Sequence, residues 1–175
     1  MLDFLERAWQ TLLFASFWIA VVSFFWGWID TYMLLSKSRQ KLKRGFRIVA
    51  KPISPDVRLY LESLQENVYE TKQIFFKDVT VGFILVNGRE RLIQIRNARW
   101  RTSWPYVGYV DLSQPAPTLE FRASLPMHLA LLPFIITVIA IPFVALMMWF
   151  NYRNETKTIE KFLEQKAKEM TEGVV

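Results

Sequence analysis

The chain has 175 residues, 52% of them hydrophobic, a formal charge of +6 at pH 7 and no cysteine. The missing thiols exclude a disulfide scaffold, thiolate catalysis and cysteine-ligated metals. The apolar residues are crowded into two uncharged runs, which excludes a simple soluble globule and leaves a small basic domain between them.

The first run, from Ala8 to Ile29, holds no charged residue. About 20 apolar residues at 1.5 Å per residue cover a hydrocarbon core of roughly 30 Å. Trp9 at one end, and Trp26 and Trp28 at the other, suit the headgroup region. Asp3 and Glu6 stand before the run where a signal peptide would carry a basic cluster, and the run is too long for a signal h-region. The sequence therefore predicts a retained membrane helix, with its extension, over residues 8–35. Ser16, Ala20, Ser23 and Gly27 fall at i, i+4, i+7 and i+11, so these small residues share one face. Such a face packs either within a hairpin of the two runs or against a partner helix.

Lys37, Arg39, Lys41, Lys43, Arg44 and Arg47 follow, with no acid among them. They either fix orientation during insertion or hold anionic headgroups at about 1 kcal/mol per basic residue. Their side of the run places the central domain in the cytoplasm and the termini outside. Gly45 is a natural stop for the helical extension.

Residues 36–126 are enough for one small core. Phe46 to Lys51 reads as a strand closed by Pro52. Ser54-Pro55-Asp56 supplies a cap, an N1 proline and an acid for a helix running to about Glu66 through Val57, Tyr60, Leu61 and Leu64. A strand using Val57, Leu59 and Leu61 is its rival. In DVTVGFILVNGRERLIQIR, two β-rich arms flank Asn87-Gly88, predicting a hairpin with a type I′ turn. Tyr106–Leu112 and Thr118–Ala123 predict two further strands around a loop containing Pro115 and Pro117. The expected domain is a mostly antiparallel sheet of four or five strands with one helix.

Between the arms of that sheet lie Arg89, Arg91, Arg96, Arg99 and Arg101, interleaved with Trp100 and Trp104. Arginine beside aromatics suits a protein contact, a lipid surface or single-stranded nucleic acid. A solvated sheet face with the tryptophans in the core explains the same residues. In a chain with two apolar runs, nucleic acid is not the expected partner.

The second uncharged run extends from Ala123 to Tyr152, with Pro133 and Pro142 inside it. It predicts a kinked second span over 127–152, with Pro126 breaking the chain before it and Trp149 and Tyr152 as interfacial anchors. The tail, 153–175, carries an apolar stripe of Ile159, Phe162, Leu163 and Met170 among lysines and glutamates. It reads as a polar helix, either a solvated extension of the span or a partner-binding or interfacial helix.

No catalytic set emerges. His128 is the single histidine, which removes any multi-histidine metal site, and it reads with Asp30 as an interfacial polar residue. No P-loop, GxGxxG or GxSxG pattern occurs. Catalytic residues, metals and cofactors are not expected. The fold expected is membrane α+β: two transmembrane helices flanking a small β domain with one helix, plus a C-terminal polar helix. The function expected is a non-enzymatic accessory, scaffold or assembly subunit of a larger complex in a bacterial inner membrane. Its partners would be anionic lipid and other membrane subunits or a second copy. The alternative is a membrane-tethered module that binds an anionic ligand or headgroup through its arginines and tryptophans.

Overall fold

The computed structural model describes residues 2–35, 42–43, 45–74, 76–95, 106–123, 128–131, 133 and 141–173. The chain divides into two compact units, Met1–Arg39 with Ser124–Phe150, and Gln40–Ala123 with Asn151–Val175.

In the first unit, α1 runs unbroken over Leu2–Leu35. It is the one helix among the described residues that is long and apolar enough to cross a bilayer, through its Phe4–Gly27 stretch. A core helix of a soluble protein would hide such residues, yet Phe14 is 66% exposed, with Trp18, Val22 and Phe25 also open. Ser16 and Ser23 are buried, Ala20 is half-buried and Gly27 is buried, so the small-residue face is the covered side of the helix. The Ser16 hydroxyl donates to the Leu13 carbonyl at 2.8 Å, so its burial leaves no orphan donor. A second crossing is not confirmed, and residues 134–140 of the second run lie outside the described residues.

The second unit is a six-stranded antiparallel sheet, β1 (Phe46–Pro52), β2 (Val68–Ile74), β3 (Lys77–Asn87), β4 (Glu90–Ile95), β5 (Tyr106–Asp111) and β6 (Thr118–Ala123). Its order is β1-β6-β5-β4-β3-β2, a meander with β1 returning to the edge beside β6. One strand more than expected is present because β2 was not legible. Its sequence VYETKQI puts polar residues on both faces, and only pairing along β3 makes it an edge strand. The hairpin between β3 and β4 forms as expected, but its turn is shifted by one residue. Asn87 pairs with Glu90, so Gly88 and Arg89 are the loop. Gly88 takes a φ of 55° while Arg89 stays outside the left-handed region, the pattern of a type II′ rather than a type I′ turn.

The helix α2 (Pro55–Ser63) starts as the sequence predicts: the Ser54 hydroxyl accepts the Val57 N–H at 3.3 Å, with Pro55 in the first turn. It stops at Ser63, short of Glu66, because Leu64 turns extended. The helix α3 (Ile141–Thr171) joins the apolar run to the tail in one piece. Pro142 stands in its first described turn, and the kink expected around Pro133 and Pro142 falls on residues 134–140, which lie outside the described residues.

The tail is not a solvated extension. Ile159, Phe162, Leu163 and Ala167 are buried together with Val57 and Leu61 of α2 and Ile84, Ile93, Val110, Leu119 and Phe121 of the sheet. Gly108 permits this approach: a β-carbon there would come within 3.2 Å of Ile159 and 3.0 Å of Leu119. Lys51 of β1 pairs with Glu160 of α3 at the rim. The sheet is buried on its other face as well, where Phe83, Leu85, Leu92 and Tyr109 are covered, along with Leu42. Burial on both faces covers four consecutive residues of β4, Arg91 to Gln94, polar ones included.

Candidate functional site

Most of the expected contact residues, Lys37, Arg39, Lys41, Arg44, Arg96, Arg99, Trp100, Arg101 and Trp104, lie outside the described residues. Lys43 and Arg47 are described, and both are exposed. The Lys43 ammonium lies 5.8 Å from the Tyr109 ring centroid. Arg47 is exposed at the sheet edge, 3.9 Å from Glu120.

Around Tyr109 the structure builds a polar cluster that the sequence did not reveal. The Tyr109 hydroxyl donates to Glu90 at 2.7 Å, and the Leu42 N–H donates to the other Glu90 oxygen at 3.3 Å. Arg122 donates to Glu120 and, at 2.6 Å, to the Gly45 carbonyl, with its guanidinium 6.0 Å from the Tyr109 ring. Burial, followed by the hydrogen bond to Glu90, raises the Tyr109 pKa, so the phenol keeps its proton and remains a donor. Every polar group named here has a protein partner. The cluster ties Leu42 and Gly45 to the sheet and presents no free nucleophile or base.

Arg91 changes role. Its neighbours in sequence suggested a surface patch, but it is buried. Its guanidinium donates to the carbonyls of Leu61 at 2.9 Å, Leu64 at 3.0 Å and Gly88 at 2.6 Å. The last carbonyls of a helix lack intrahelical partners and carry its negative dipole end, so a buried cation there stabilises α2 and locks it to the β3–β4 turn. Replacing Arg91 by Leu should lower stability by about 3 kcal/mol, because those carbonyls stay buried and unpaired. Chemical unfolding of the purified protein in detergent checks this; an unchanged midpoint would contradict the assignment.

Beside that clamp is a shallow groove of about 460 Å³ lined by Arg58, Glu62, Gly88, Arg89, Arg91 and Leu112. Arg58 pairs with Glu62 at 2.8 Å and also donates to the Pro115 carbonyl at 3.4 Å. Arg89 extends from the turn into solvent, so the groove has three guanidinium groups against one carboxylate. Its chemistry is that of a weak site for an anionic group. Arg58 was missed because, in sequence, it is one polar residue on the outer side of a short helix.

Two further features were not foreseen. Phe76, at the turn between β2 and β3, is fully exposed with a φ of 63°, a conformation that bulky residues seldom take. Glu155 of α3 accepts the Tyr106 backbone N–H, but its Oε2 is buried with no hydrogen-bond partner among the described residues. Burial pushes its carboxyl up to about 8. Among the described residues, no group of three or more His, Cys, Asp or Glu side chains gathers to hold a metal ion. No protein family, curated protein or solved structure matches this chain.

Proposed function

We propose that this protein is a non-enzymatic, membrane-anchored accessory or scaffold subunit, held in the bilayer by α1 and presenting the sheet unit at the membrane surface. The observation that carries the reading is the circumference of α1. Large apolar side chains such as Phe14, Trp18 and Phe25 are exposed over its length, and only lipid or another membrane helix removes that area from water. Its small-residue face is already covered by this chain, so a partner helix would meet the aromatic sides. The setting we assign is a bacterial cytoplasmic membrane with the sheet unit in the cytoplasm, on the strength of the basic residues from Lys37 to Arg47. Extraction from native membranes in a gentle detergent, followed by sizing, tests the scaffold role. A particle containing further protein is expected, and a lone 20.7 kDa chain in its detergent belt would rule the role out.

The groove at Arg58 and Arg89 favours a second reading, a tethered module that contacts an anionic group such as a lipid headgroup. The full chain, reconstituted beside anionic or zwitterionic vesicles, would then recruit the anionic ones. Arg89→Ala, which leaves the Arg91 clamp in place, would weaken that recruitment several-fold.

A further inference from the structure

We infer that the second apolar run is re-entrant: it returns the chain to the side of the membrane it leaves, so that the sheet unit and the tail share one side. The inference rests on the membrane reading above and concerns what the chain does between Ala123 and Tyr152.

The argument is one of parity. Strand β6 ends at Ala123, inside the sheet, between β1 and β5. The tail that follows the run is also inside that unit: Ile159, Phe162, Leu163 and Ala167 belong to its core. Tyr152, where the run ends, meets the Tyr106 ring of β5 edge-on at 5.6 Å. A segment that crossed a bilayer once would leave its two ends about 30 Å apart across the hydrocarbon. Both ends here belong to one packed unit, so the number of crossings between them is even. Two full crossings need about 40 residues of helix, and the stretch Ser124–Phe150 is far shorter.

Length and exposure fit a shallow insertion. From Ile141 to Phe150, α3 offers ten apolar or uncharged residues before Asn151. Ten residues rise about 15 Å, half the hydrocarbon thickness. Phe143 is 74% exposed, and Ile141, Leu146, Trp149 and Phe150 are exposed with it. No residue from Ala123 to Tyr152 is formally charged, so water is a poor solvent for this surface and one leaflet is a good one. Trp149 and Tyr152, at the carboxyl end of the run, are the residue types that settle at headgroup depth. With α1 crossing once, the chain makes one complete crossing, and the tail shares a side with the sheet and not with the amino terminus.

The absence of native cysteine makes the test clean. Single cysteines are placed in the otherwise unchanged full chain at Glu66→Cys in the sheet unit and Glu164→Cys in the tail, with Gln65→Cys and Lys161→Cys as a second pair should either variant fold poorly. All four positions are exposed. Sealed vesicles of one orientation are treated with a membrane-impermeant charged maleimide. Both reporters of a pair are expected to react from the same side, and Phe143→Cys only after detergent is added. Tail and sheet reporters reacting from opposite sides would overturn the inference, as would Phe143→Cys reacting in intact vesicles. Release of the whole protein by alkaline carbonate would instead defeat the membrane reading, and this inference with it.

Discussion

Removing residues 151–175 is expected to unfold the sheet unit, not merely to shorten the protein. Ile159, Leu163 and Ala167 are almost wholly buried and Phe162 nearly so, against both α2 and the sheet. Burying one large apolar side chain contributes about 1.5–3 kcal/mol. Three of them amount to most of the roughly 5–15 kcal/mol that separates folded from unfolded domains. Their loss would also expose Leu61, Ile84 and Ile93, which are completely buried in the intact chain. Limited proteolysis of the detergent-solubilised protein reads the outcome: the intact chain should yield a protected sheet fragment and the truncated one should be degraded through it. The graded version is Leu163→Ala, which should cost about 2–5 kcal/mol. If the truncated sheet stayed protected, α3 would not be part of the core in the way its burial indicates.

The second large effect concerns Glu155. Its carboxyl titrates near 8 in the folded protein because burial disfavours the charge more than the Tyr106 N–H restores it. The Tyr106 N–H of β5 donates to it, and burial, then Glu155 itself, raises the Tyr106 phenol to about 12. In the unfolded chain a glutamate titrates at about 4.3. Between those values the folded state holds a proton that the unfolded state has released, so stability falls as pH rises. It is highest below about pH 4.3 with respect to this group, and the loss is complete above pH 8. The span corresponds to a few kcal/mol, on the order of 3 once partial solvent access is allowed for. Glu155→Gln should flatten that slope and raise the melting temperature at pH 8.5, while changing little at pH 5. Parallel pH profiles for variant and parent would refute the assignment. Because Glu155 follows the end of the re-entrant run by only a few residues, its ionisation would loosen the helix where that run rejoins the sheet.

These results explain why some elements were legible from sequence and others were not. The length and uniform apolarity of α1, the Ser54-Pro55 start of α2 and the β3–β4 hairpin are signals carried by adjacent residues, and each formed where expected. The hairpin turn slipped by one residue because Asn-Gly and Gly-Arg are both competent loops, and cross-strand pairing of Asn87 with Glu90 chose between them. Arg91 could not be told from Arg89 in a string of arginines. Its burial depends on where α2 ends, and α2 ends one residue before Leu64 turns extended.

Sequence alone determined the chemistry of each segment: which stretch is oily enough for a bilayer, which alternates as a strand, which helix has a cap, and that no cysteine or second histidine is available for a reaction. Tertiary structure decided what each amphipathic surface meets. The stripe of Ile159, Phe162 and Leu163 is equally suited to a partner, a membrane surface or the chain's own sheet, since hydrophobic attraction has no direction and periodicity names only a face. Only the folded packing, with Gly108 leaving room for Ile159, assigns that face to this sheet.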